Sequence, residues 1–207
     1  MAVNYVINAD VIDIKRDTPK FDDTFLVDTN VWYWMTYTRA SQAERPPVNY
    51  QINAYPTYIS NVLAAKSRLY RCGLSMAELA HLIEKTEREI FSRAHGIIKT
   101  KEYRHNHATE RSNVVSEIQA AWGQVKTMAA SMDVLVDEPT TDAALNRLNS
   151  QPLDGYDLFF LEGIAKAGVA HVITDDGDFA SIPGIRIFTA NKNIIDTARA
   201  QGKLVTR

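Results

Sequence analysis

Two short apolar runs that each stop at an acid constrain this chain more than any other feature. Phe25-Leu26-Val27 runs into Asp28, and Val172-Ile173 runs through Thr174 into Asp175, Asp176 and Asp178. Short runs rich in β-branched and aromatic residues suit strands buried on both faces. His171-Val172-Ile173, Val134-Leu135-Val136 and Ile185 to Phe188 have that character, and a short strand is expected at Cys72 to Leu74. Helical spacing fills the intervals: Thr57 to Arg71, Met76 to about Ile98, about Ser112 to Met132, Thr141 to Leu148, and Tyr156 to Ala167. This alternation predicts an α/β fold with a parallel sheet covered on both sides. Gly73 and Gly168 stand where helices should stop. The stretch Thr38 to Asn53, with Pro46-Pro47, reads as a long loop, a lid or a partner surface.

At 207 residues the chain reads as one domain with insertions. Its hydrophobic content of 45% and charged content of 23% are those of a soluble globular protein, and no stretch approaches the ~20 apolar residues of a membrane span. The start of the chain lacks the pattern of a secretory signal, and a single cysteine, Cys72, permits neither an internal disulfide nor a zinc site with two sulfur ligands. Cys72 reads as a small buried hydrophobe, and a cytoplasmic location is expected. A net charge of −2 carries no nucleic-acid signature by itself. Local charge is more informative: Arg93, Lys99, Lys101, Arg104 and Arg111 face only Glu102 and Glu110, a stretch that suits either a phosphate backbone or a solvated helix face. Lys99, Lys101 and Arg104 are the candidate nucleic-acid contacts.

The acids at the strand ends carry the chemistry. Ligands of open parallel sheets bind beyond the carboxyl ends of the strands, which is where Asp28 and the Asp175 to Asp178 run should lie. Clustered like charges repel unless a cation neutralises them, and an all-oxygen donor set suits Mg²⁺ or Mn²⁺. Two further acids stand at helix starts. Ser75-Met76-Ala77-Glu78 has capping-box spacing, so Glu78 has a structural reading as well as a chemical one. Asp157 follows a potential N-cap, Asp154, and stabilisation by the helix dipole is a sufficient structural reason for it. If both helices start at the carboxyl edge of the sheet, Glu78 and Asp157 approach Asp28 and Asp176. The aromatic run Trp32-Tyr33-Trp34 suits core or dimer packing better than base stacking.

In that order, Val27-Asp28-Thr29-Asn30, Ala77-Glu78-Leu79, Asp157-Leu158-Phe159 and Thr174-Asp175-Asp176-Gly177-Asp178-Phe179 resemble the PIN-domain family, over about Phe25 to Asn191. The resemblance implies a three-layer α/β/α sandwich and a Mg²⁺- or Mn²⁺-dependent ribonuclease of the kind found as toxins in toxin–antitoxin pairs. RNA, an antitoxin and a second copy of the chain are the partners it implies. Carried over by position, the acids are Asp28, Glu78, Asp157 and Asp176, with Asp178 a further ligand and Asn30 and Thr174 supporting the cluster. Asp154 competes with Asp157, and Asp175 with Asp176; the second of each pair is preferred. Departures from the family pattern are a segment 1–24 before the domain (25–191), a long helical insertion (about 85–131) and a tail (192–207). Two other readings compete: a non-catalytic PIN-like binding module, and a haloacid-dehalogenase-like phosphatase, which needs a second aspartate where this chain has Asn30.

Overall fold

The computed structural model describes residues 3–207. Six strands form one sheet: β1 (Asp10–Asp13), β2 (Thr24–Val27), β3 (Arg68–Cys72), β4 (Ala130–Met132), β5 (His171–Ile173) and β6 (Arg186–Thr189). Their order is β1-β6-β5-β2-β3-β4, and every neighbouring pair is parallel. Because successive side chains on a strand point to opposite faces, β2 serves two cores at once. Phe25 and Val27 join one with α1 (Thr29–Thr36), α2 (Asn49–Ala64), α3 (Gly73–His95) and α5 (Ala108–Met128). Leu26 joins the other with α6 (Glu138–Leu148), α7 (Gly155–Ala167) and α8 (Lys192–Ala200). The result is the expected three-layer α/β/α sandwich. Between α3 and α5, α4 (Thr100–Asn106) closes a satellite core of Ile98, Tyr103 and Val114. Among the described residues no helix is long and apolar enough to cross a membrane.

Several elements differ from the sequence reading, each for a local reason. The helix expected over Thr57 to Arg71 is α2, which starts at Asn49 and accommodates Pro56 in its interior. Lys66 ends it in the left-handed region, φ 59°, a position usually taken by glycine. That stop frees Arg68–Cys72 to become β3, so Gly73 opens α3 instead of ending a helix. Gly168 does end α7, with φ 65°. The strand expected at Val134 to Val136 is β4, four residues earlier; Leu135 and Val136 are exposed. Residues 10–13 lie in the segment before Phe25, yet pair with β6 in the register Val11 to Ile187 and form the sheet edge.

The edge opposite the acids is closed by one guanidinium. Arg207 bonds Asp17 at 2.7 and 2.9 Å and Asp23, just before β2, at 2.7 Å, and lies 4.7 Å from the centroid of the Phe188 ring. Burial pushes the Asp23 carboxyl up, but the bonds from Arg207, the Lys20 amide and the Arg207 charge outweigh it and hold its pKa below the usual range. Its contribution is therefore complete above the unfolded carboxylate pKa of about 4, and is lost as pH falls through the depressed native value. Replacing Arg207 with Ala strands two buried carboxylates, which costs about 3–5 kcal/mol at pH 7. Urea unfolding should show that deficit at pH 7 and a smaller one at about pH 3; equal stability of the two proteins at pH 7 would rule out the clamp.

Candidate active site at the carboxyl edge

Asp28 leaves the end of β2 as the N-cap residue of α1, and its amide donates to Ile173 O at 3.0 Å, extending the β2–β5 ladder by one residue. The backbone thereby fixes the side chain above the junction of the two strands. Thr174, the first residue after β5, donates its hydroxyl to Asp28 Oδ2 at 2.7 Å and accepts the Asp176 amide at 2.9 Å. One hydroxyl thus joins the two acid-bearing strand ends. Asp176 Oδ1 in turn accepts the Asp178 amide at 2.9 Å, which closes the acid loop into a tight turn.

The members of the two ambiguous pairs touch different neighbours. Asp175 turns into the first helical layer, where Tyr50, Gln51 and Tyr55 donate to it at 2.9, 2.7 and 2.7 Å. Asp176 faces the other carboxylates, and its charge raises the pKa of Asp28, Glu78 and Asp157 alike. Asp154 is the exposed N-cap of α7, accepting the Tyr156 and Asp157 amides at 3.0 and 3.3 Å. Asp157, in the first turn of α7, is buried.

Glu78 sits in the second turn of α3, which begins directly after β3. The capping box read at Ser75 does not form: the N-cap is Cys72, so Ser75 lies inside the helix with its hydroxyl unpartnered. Glu78 is therefore released from capping. It points at Thr29, but Glu78 Oε2 and Thr29 Oγ1 are both buried without a hydrogen bond of ordinary geometry. An orphaned carboxylate oxygen in this place is an open acceptor.

Burial and mutual repulsion dominate the electrostatics. Asp28 is pushed up to about 7, first by burial and then by the Glu78 charge, against the hydrogen bond from Thr174. Asp157 is pushed up to about 9 by burial and then by Asp28, Asp154, Asp176 and Glu78. Glu78 and Asp178 are raised by burial and by neighbouring acids. Asp28, Glu78, Asp157 and Asp176, from four separate segments, thus lie close enough for their charges to act on one another. Among the described residues no three acidic, histidine or cysteine side chains stand ready to enclose one ion. The donors nonetheless fit a hard divalent cation: they are all oxygen, they carry uncompensated charge, and Glu78 Oε2 is unpaired.

The remaining expected residues fall at different distances from this pocket. Asp28 makes no side-chain cap bond to the first amides of α1, and Asn30 lines a neighbouring groove of about 580 Å³ with Trp34, Pro46 and Lys85. Trp32 is wholly buried, as packing predicts. Lys99 and Lys101 are exposed, at the start of α4, where the chain turns back along α3 and the Ile98 carbonyl accepts from Arg88 at 3.1 Å. Arg104 is paired with the buried Glu84, which Arg111 also approaches at 3.5 Å. Sequence reasoning missed Tyr5, whose ring covers Gly177 in the acid loop, and the Asp175 anchor on α2. A glycine between two acids was the available signal for the first.

No family model and no curated protein matches this chain. It is similar to a solved structure described as VapBC2 from Rickettsia felis bound to a DNA fragment from their promoter, at 13% identity and a TM-score of 0.47, covering 80% of this chain and 98% of that one.

Because the native pKa of Asp157 and Asp28 lies above the unfolded value, ionising them destabilises the fold. The loss is absent below about pH 4 and grows as pH rises through about 7 and 9. In chelator, the melting temperature should fall across that window, and Asp157→Asn should flatten the decline and raise Tm at pH 8 by several degrees. Each kcal/mol moves Tm roughly 2–4 °C in a chain of this size. A Tm of the Asn variant equal to or below the parent's at pH 8 would contradict the like-charge pocket.

Proposed function

We propose that this chain is a PIN-like nuclease that hydrolyses RNA phosphodiester bonds with a divalent cation, Mg²⁺ or Mn²⁺, held at the Asp28 pocket. The observation that carries the reading is the convergence of Asp28, Glu78, Asp157 and Asp176, from four segments, into one under-neutralised pocket at the carboxyl edge of a parallel sheet. Asp28, Asp157 and Asp176 would hold the cation, with Asp178 beside them. Bound there, the ion supplies charge neutralisation for the phosphate in flight and a lowered pKa for the attacking water.

The protein's own groups do the positioning. Thr174 fixes the Asp28 carboxylate by its hydroxyl and the Asp176 turn by its oxygen, so the two acids move as a unit. Glu78, whose Oε2 is buried without a hydrogen bond, would orient the attacking water at phosphorus. Attack forms the new P–O bond, the P–O3′ bond breaks, and O3′ leaves with a proton. Since the 2′-hydroxyl is not the nucleophile, the products carry a 5′-phosphate and a 3′-hydroxyl. Such an activity fits the toxin of a toxin–antitoxin pair, with an antitoxin and a second copy as partners, acting in the cytoplasm; the segments 1–24, 25–191 and 192–207 would then be extension, nuclease domain and tail. The phosphatase reading lacks its second aspartate, since Asn30 stands there.

Purified protein incubated with total RNA should cleave in Mg²⁺ or Mn²⁺ and stop in chelator. Asp28→Asn should lose more than about a hundredfold of the rate while folding normally. Thr174→Val, which removes only the supporting hydroxyl, should lose roughly 10–100-fold. Full activity in Asp28→Asn would refute the assignment, and binding of RNA without cleavage in any metal would favour the non-catalytic module.

A further inference from the structure

The segment before β1 is held firmly enough to deliver a side chain to the acid loop. The amides of Asn8 and Ala9 donate to Ala180 O at 2.8 and 3.0 Å, and the Asn8 side chain donates to Ser181 O at 2.9 Å. Gln201, just after α8, grips the same segment like a partner strand: its Nε2 donates to Tyr5 O and its Oε1 accepts the Ile7 amide, both at 2.9 Å. Ile7 and Ala9 are buried. This backbone places the Tyr5 ring on Gly177, between Asp176 and Asp178.

Gly177 has φ −74° and ψ −19°, an ordinary right-handed conformation open to any residue. Its lack of a side chain therefore has no backbone cause. A Cβ at this position would overlap the Tyr5 ring and lie 2.7 Å from the phenolic oxygen. The glycine is there to admit the ring, and the hydroxyl consequently sits beside the acid loop. A phenol is neutral near pH 7, and this one makes no hydrogen bond to a neighbouring side chain among the described residues. The group stays a neutral O–H with its proton to give.

We propose that Tyr5 is a substrate-positioning residue, donating its hydroxyl to a non-bridging phosphate oxygen of a nucleic-acid strand bound at the Asp28 pocket. The proposal rests on the nuclease reading. A pocket of carboxylates repels the phosphates on either side of the one being cut, and a neutral donor at its rim holds a strand without adding a cation that would compete for the acids. Tyr5 is half-buried and rigidly supported, so little freedom is lost on binding.

The test compares wild type, Tyr5→Phe and Tyr5→Ala as full chains. Three quantities are read: the Kd for a short fluorescein-labelled single-stranded RNA with Ca²⁺ replacing Mn²⁺, the Mn²⁺ affinity without RNA, and Tm. Tyr5→Phe should weaken RNA binding about 10- to 150-fold, the range of one hydrogen bond to an anion. Its Mn²⁺ affinity should match wild type, and its Tm should stay within about 2 °C. Tyr5→Ala should show the same binding loss and a lower Tm, because the ring leaves a void over Gly177. Unchanged RNA binding in Tyr5→Phe overturns the proposal, as does a parallel loss of Mn²⁺ affinity, which would make Tyr5 a prop for the acid loop. Cleavage by wild type with Tyr5→Phe unaltered removes Tyr5 alone; absence of both binding and cleavage in wild type removes the nuclease reading with it.

Discussion

Negative charge gathered faster than it is neutralised is the constraint around which this molecule is organised. Asp28 and Asp157 are buried, Glu78 is largely so, and none of the three has a cationic partner among the described residues. Elsewhere the chain pairs its buried acids with care: Asp17 and Asp23 share Arg207, Glu84 has Arg104 and Arg111, Glu87 has Arg39, and Glu162 has Arg147. A protein able to furnish five buried acids with arginines, and leaving three at one sheet edge without, holds local instability at that edge. Strain of this kind is characteristic of places where a ligand completes the structure.

Holding such a pocket together takes a scaffold that does not itself yield. Tyr55 is the hub of that scaffold. Its hydroxyl meets Asp175 Oδ1 at 2.7 Å, the Thr174 carbonyl at 3.1 Å, Thr189 Oγ1 at 3.0 Å and the Ala190 amide at 3.1 Å. Asn191 adds a bond from its side chain to the Asp175 carbonyl at 2.9 Å. One phenol thereby ties α2 to the ends of β5 and β6, and Asp175 serves as its counterpart. Two consecutive aspartates thus have opposite duties, one drawn back into the scaffold by three donors, the other left facing the charge.

What the sequence disclosed follows from how local each cause is. The ends of β2 and β5 were legible because an apolar strand and the acid after it are adjacent in the chain. The cap at Asp154 and the stop at Gly168 were legible because each is a single-residue device. The end of α2 was not, since Lys66 takes the left-handed turn that glycine usually supplies; once that stop was missed, β3 was read as helix and Gly73 as a terminus. β1 hid for a different reason: only Val11 and Ile12 are apolar between two aspartates, and its partner, β6, lies over 170 residues away by number. The same distance conceals Tyr5 on Gly177 and Arg207 on Asp23. Side-chain type reveals a candidate acid, but only tertiary packing decides which neighbour it faces.

The basic stretch after residue 93 shows that distinction from the other side. By composition it is the natural phosphate-binding segment, yet Arg104 and Arg111 are committed to Glu84, and Arg93 donates to the Gln42 carbonyl. Lys99 and Lys101 are exposed, on chain that turns back along α3, where Arg88 donates to the Ile98 carbonyl at 3.1 Å. On the proposed nuclease reading, with Arg93, Arg104 and Arg111 committed to other partners, a strand at the Asp28 carboxylates would be held by a cation and by neutral donors such as Tyr5, in a chain whose net charge is −2.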